Sequence, residues 1–293
     1  MSDNYPYILG DYHRAITCAN DQAQLWFDRG MNWVRPALPP ALQTTLTSLA
    51  QAFGFHHEEA IACFEKAAAA DPSCAMAQWG IAYCHGPNYN FHAFNGYHVV
   101  SQQESGYPSM KAAFEAVQRA AALTEGCAPV EKDLIEALQL LYTWPASSFA
   151  AELGPAHSAA MRAVRAKHPD DADVAFVFAD SMMTLHPWKL WDLESGEPVA
   201  LVPELQALLA EALEAAPNHP GLCHLWIHLL EMSPTPELAL PQAEVLRRCC
   251  PDLGHLLHMP SHIDVRAAAP PPHCHTQSRC PPEGDPLALA RRR

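Results

Sequence analysis

Ala216-Pro217-Asn218 and Cys250-Pro251-Asp252, with their prolines 34 residues apart, bracket the stretch that decides the fold: Gly221-Leu-Cys-His224-Leu-Trp-Ile-His228-Leu-Leu-Glu231, then Met-Ser-Pro-Thr-Pro, then Glu237-Leu-Ala239-Leu-Pro-Gln-Ala-Glu-Val-Leu-Arg-Arg. Each flank closes one apolar-periodic helix with a proline that cannot continue it and precedes the next. The same punctuation stands at Asp71-Pro72 and His168-Pro169-Asp170. Ala239 lies twelve residues before Pro251, where a helix–turn–helix unit needs a small side chain for close packing. A unit of this kind, recurring along a chain, is the sign of a helical repeat architecture.

The first repeat carries the fuller pattern. Trp26, Gly30 and Trp33 fall on one helix, and Ala60, Phe64, Ala67 and Pro72 on the next. These residues resemble the tetratricopeptide repeat (TPR) family, whose pattern is Trp, small, aromatic on the first helix and Ala, aromatic, Ala, Pro on the second. The resemblance covers roughly residues 20–266 and implies an all-α, right-handed solenoid of antiparallel helix pairs. Gly30 and Ala60 are 30 residues apart where the family has 12, an excess of eighteen residues. Removing residues 35–52, which carry three prolines, restores the register, so this piece is expected to be a surface excursion. Loop insertions are cheap, about 0.6 kcal/mol for each doubling of length.

Further helices are expected over about 75–84, from Pro108 to about 123, from Pro129 through 141, from Pro155 through 166, and over 171–185. Between them, His85-Gly-Pro-Asn88-Tyr-Asn90 stops a helix, and the loop of residues 186–198 carries Trp188 and Trp191. His85, Asn88, Asn90, Trp188 and Trp191 are candidate groove or ligand contacts, although packing onto the solenoid is the favoured use for the two tryptophans. Residues 1–19 read as an N-terminal segment, and 267–293 as a Pro-rich tail with no apolar period, expected to be disordered. The helix before that tail is expected to lack the second helix of its repeat, so either the chain is a shortened form of a longer one or something else covers the apolar face.

Composition narrows the function. The chain has 293 residues with a formal charge of −14, so phosphate backbones are repelled and nucleic acid is not an expected partner. Residues 1–17 have no apolar signal core and no run approaches 18 apolar residues, so neither secretion nor a membrane span is expected, and the cytoplasm is the default location. The ten cysteines form no Cys-x-x-Cys pair, and Cys63, Cys74, Cys84 and Cys223 sit in apolar helical patterns, as reduced core cysteines do. No Gly-rich phosphate loop or Gly-x-Ser-x-Gly elbow occurs, so no nucleotide cofactor is expected.

The functional signal is histidine. His224, His228 and Glu231 stand at i, i+4 and i+7, and His255, His258 and His262 at i, i+3 and i+7, so each trio shares a helix face. Under the repeat register carried over from the TPR family, both trios fall on inner-groove positions. Imidazole with carboxylate suits a divalent transition metal, Zn, Fe, Cu or Mn. Glu231 and Asp180, which holds the equivalent inner position one repeat earlier, are candidate catalytic bases. The spacing is not His-Glu-x-x-His, and Pro260 is expected to kink or restart the helix between His258 and His262. Two functions follow as expectations: a metal site open to a small molecule, or a scaffold holding a protein or peptide in the groove.

Overall fold

The computed structural model describes residues 5, 9–33, 57–89, 110–145, 152–249 and 253–268. The excursion at 35–52, the tail beyond 268 and Asn90 lie outside the described residues. Among those described, eleven α-helices follow one another with no strand: α1 (Asp21–Trp33), α2 (His57–Ala70), α3 (Ala75–His85), α4 (Met110–Ala122), α5 (Pro129–Gln139), α6 (Gly154–Lys167), α7 (Ala172–Met183), α8 (Val202–Ala215), α9 (Pro220–Leu230), α10 (Leu240–Cys249) and α11 (Gly254–Ala268). Each packs on its predecessor, and second-neighbour packing joins α1 to α3, α3 to α5, α7 to α9 and α9 to α11. Odd-numbered helices therefore line one side of the stack and even-numbered helices the other, which is the TPR-like arrangement of antiparallel pairs. No described helix is long and apolar enough to cross a membrane.

The starts are written locally. Pro129, Pro155, Pro203 and Pro220 sit in the first turn of α5, α6, α8 and α9, where a missing N–H costs nothing. Asp171 caps α7 by accepting from the amides of Asp173 and Val174. The expected close packing of the first repeat takes a definite form at Phe64. A Cβ placed on Gly30 of α1 would lie 2.5 Å from its ring, and one on Gly80 of α3 would lie 2.6 Å away. Two glycines on neighbouring odd helices thus clasp one phenylalanine of α2, and Phe27 meets the same ring at 5.5 Å. The side chain of Trp33, expected against Phe64, is outside the described residues. Ala82 and Ala239, the other small positions, are fully buried.

Two features depart from expectation. α11 runs unbroken through Pro260. One missing amide bond does not stop a helix whose Leu256, Met259 and Ile263 are fully buried, so hydrophobic burial outweighs the lost bond. The N-terminal segment, read as separate from the repeats, forms a strap along the starts of the odd helices. Ala19 N–H donates to Asp71 at 2.5 Å, Thr17 N–H to Glu131 at 2.6 Å, and Arg14 donates to both oxygens of Asp171 and to Asp173. Tyr12 OH also donates to Asp173, which meets His219, the first residue before α9, at 3.2 Å. The seven described cysteines form no disulfide with one another, and Cys63, Cys74, Cys84 and Cys223 are buried.

Candidate metal centre

α9 and α11 bring the two histidine trios together. His255 Nε2 lies 3.0 Å from His224 Nε2, across two helices. One ring nitrogen from each of His224, His228 and His255 falls within 4.8 Å of the others. The inner-groove placement needs correcting in one respect. His224, His228 and Glu231 are only 0%, 1% and 4% exposed, so this trio is interior rather than groove-lining. Tyr89, which sequence reading did not assign, packs on the His228 ring at 5.0 Å, and Trp188, a groove candidate, at 5.6 Å. Trp188 holds φ at +58°, a left-handed conformation that costs a non-glycine residue roughly 1–2 kcal/mol. Its ring stacks on Tyr89 at 5.4 Å, and the two form a lid of aromatic surface over His228.

Glu231 occupies a different post from the one its spacing suggests. His228 Nδ1–H donates to its Oε1 at 2.7 Å, and His262 Nδ1–H to its Oε2 at 2.5 Å. Burial would raise the Glu231 pKa, but His228 and His262 outweigh burial and hold it down at about 2. The carboxylate is therefore ionised and accepts only, so it fixes the proton of each ring on Nδ1 and leaves each Nε2 as a lone pair. His228 Nε2 is buried with no hydrogen-bond partner. Beyond His262, its Nε2 accepts from His258 Nε2 at 3.0 Å, and Ser261 Oγ–H donates to His258 Nδ1 at 3.3 Å. Burial, His262 and His228 lower the His258 pKa.

The other candidate residues sit elsewhere. Asp180 lines a small cavity with Tyr83, Pro87, Leu141, His157 and Thr184, and accepts from Tyr83 OH at 2.6 Å. Burial lifts its carboxyl to about 6 against that hydrogen bond, and burial drops His157 to about 4. His85 turns toward α2 and α4, in a groove with Glu65, Gln78, Glu115 and Arg119. Burial first, and then Arg119, lowers it to about 4. Trp191 Nε1–H donates to Leu229 O at 2.7 Å, which ties the loop to α9 and is a packing role. Asn88 is half-buried beside Tyr89. Tyr89 was hidden from sequence reading inside a Gly-Pro loop, and His157 inside an Ala-rich helix.

No protein-family profile and no curated protein matches the chain. Among solved structures, YrrB, described as a TPR protein with an unusual peptide-binding site, is 17% identical, with 80% of this chain and 97% of that one covered and a TM-score of 0.33. Similarity at that level says nothing about what this chain binds. The TPR-like fold of this protein is evident in its own pairing of odd and even helices.

Proposed function

We propose that this TPR-like protein binds a divalent first-row transition metal through His224, His228 and His255, with Glu231 as the carboxylate that orients His228. The observation that carries this reading is the buried, partnerless Nε2 of His228, set beside two further imidazoles. A buried acceptor without a partner costs about 1–3 kcal/mol, and a fold that keeps one needs a reason. A metal–nitrogen bond supplies it. Imidazoles at about 2.0–2.1 Å from zinc place their nitrogens roughly 3.3–3.4 Å apart in a tetrahedral site, so the trio fits after a small closure of its widest separation. His224 and His255, at 3.0 Å, share one proton between their Nε2 atoms, which must pass to Nδ1 of its own ring for both Nε2 atoms to ligate. The Glu231–His228 pair has the form of the carboxylate–histidine–metal arrangement, in which the acid raises the basicity of the ligand.

Three imidazoles leave a coordination position open, the arrangement that lowers the pKa of bound water and can activate a small molecule. Glu231, committed to two rings, is not free to act as the base. The alternative of a peptide scaffold has less support at these residues, since an extended peptide cannot touch side chains buried this deeply. The test is metal content by mass spectrometry on purified wild type, His228→Ala and a tail control, His273→Ala. The reading expects metal in wild type and control and its loss in His228→Ala. Equal content in all three would overturn it.

A further inference from the structure

The five imidazoles form a closed loop of adjacent rings. Successive centroids are 4.6 Å (His228–His224), 4.9 Å (His224–His255), 6.2 Å (His255–His258), 4.8 Å (His258–His262) and 5.9 Å (His262–His228) apart. His228 and His255 are also 6.2 Å apart, which folds His228, His224 and His255 into a triangle, and among the described residues only these three bring one ligand nitrogen each within 4.8 Å of one another. One ion therefore cannot serve all five. The two long edges divide the loop into the trio His228, His224 and His255, and the pair His258 and His262.

We infer that His258 and His262 hold a second divalent transition metal, beside the ion of the trio, and that Glu231 serves as a common anchor for both positions. This rests on the metal reading above only for the first ion. The pair stands at i, i+4 on α11, with Nε2 atoms 3.0 Å apart, near the separation that two imidazoles adopt on one ion. His262 is held as His228 is, with Nδ1–H on a Glu231 oxygen and its Nε2 lone pair turned to the site. His258 carries its proton on Nε2, yet it can change tautomer cheaply. Its Nδ1 faces the Ser261 hydroxyl, which rotates to accept from Nδ1–H as readily as it now donates. The exchange frees Nε2 without leaving a polar group unsatisfied. One anionic carboxylate between the positions also offsets the charge that two cations would bring together.

The pair is exposed enough for solvent to complete the shell: His258 lies on the exposed surface of α11 and His262 is half-buried. Of the trio, His224 and His228 are buried, with Tyr89 and Trp188 packed on His228, and only His255 is half-buried. The two positions should therefore differ in exchange, with the outer ion loading and leaving first.

The experiment strips the full chain with chelator, reloads it with Zn²⁺, desalts it, and counts zinc per protein for wild type, His258→Ala and His255→Ala, with circular dichroism to check folding. Two equivalents are expected in wild type, and one in each variant. A weak chelator should remove the outer equivalent at least ten times faster than the inner one. One equivalent in wild type, unchanged in His258→Ala and lost in His255→Ala, would overturn the second position and leave the trio standing. Two equivalents retained in His258→Ala would also overturn it. One equivalent lost in His258→Ala but kept in His255→Ala would support the outer position and remove the trio. If His255→Ala does not fold, cupric titration of wild type against His258→Ala decides the outer position alone: equal stoichiometry overturns it.

Discussion

Glu231 Oε1 accepts from His228 Nδ1–H at 2.7 Å in a setting where both side chains are buried. That single contact selects the tautomer of His228, so its loss should matter more for chemistry than for shape. Glu231→Gln keeps the volume but offers an amide that can donate as well as accept. Metal affinity should fall 10–100-fold, the usual effect of removing such a partner. Competition with a chromophoric chelator measures it, and unchanged affinity would show that Glu231 orients nothing.

Imidazole binds metal only when neutral. Zinc occupancy should hold at pH 7.5 and fall as the pH drops through about 6.5, the unperturbed histidine value. Occupancy that persists at pH 4.5 would mean that the histidines are not the ligands.

Asp180 gives a stability prediction of opposite origin. Burial lifts its folded carboxyl from the ordinary 3.8 to about 6, so between those values the folded chain holds a proton that the unfolded chain has lost. Stability should therefore fall as pH rises from about 4 to 6, by on the order of 3 kcal/mol at most. Asp180→Asn, which still accepts from Tyr83, should flatten that part of the melting-temperature profile and raise stability at pH 7. A profile equally steep in the variant would place the titration elsewhere.

Phe64 fills the space between two glycines, so changes on either side should be coupled. Gly80→Ala alone forces the ring to move and should cost about 1–3 kcal/mol, and Phe64→Ala about 3–5 kcal/mol. Phe64→Leu with Gly80→Ala should cost less than the sum of the two single changes, as residues in contact do not add. Strict additivity in urea unfolding would show that the clasp is loose.

The helix order was readable because Pro217, Pro251 and Pro72 announce themselves within a few residues, and the small residues Ala60 and Ala239 stand at the same distance before Pro72 and Pro251. The two histidine faces were readable for the same local reason, a spacing of three and four on a helix. Their exact placement was not. Whether His228 faces an open groove depends on Tyr89 and Trp188, which reach it from loops whose sequence has no period. Glu231 reads from spacing as a ligand, and only the arrival of His262 from another helix makes it an anchor. Pro260 misled because its local cost is plain in sequence while the burial that offsets it comes from the helices around it.

The strap of residues 9–20 escaped for a stronger version of that reason: Arg14 meets Asp171 at a separation of 157 residues. Burial opposes the charge on Arg14, but Asp171 and Asp173 outweigh it and raise its pKa further. Arg14→Ala would leave two carboxylates without their cation and should cost about 3–5 kcal/mol. Arg14→Lys should recover only part, since a point charge cannot reproduce the fork over Asp171. Chemical denaturation of the three proteins measures this.

A stack in which each repeat touches only its neighbours can melt from one end, repeat by repeat. Here Arg14, Thr17 and Ala19 are laced to the loops before α3 and α7 and to the first turn of α5, so the early repeats cannot fray independently of the later ones. Cutting the strap should split one sharp unfolding transition into two broader ones. Folding, too, has to wait for Glu131 and Asp171 before Thr17 and Arg14 have anywhere to go.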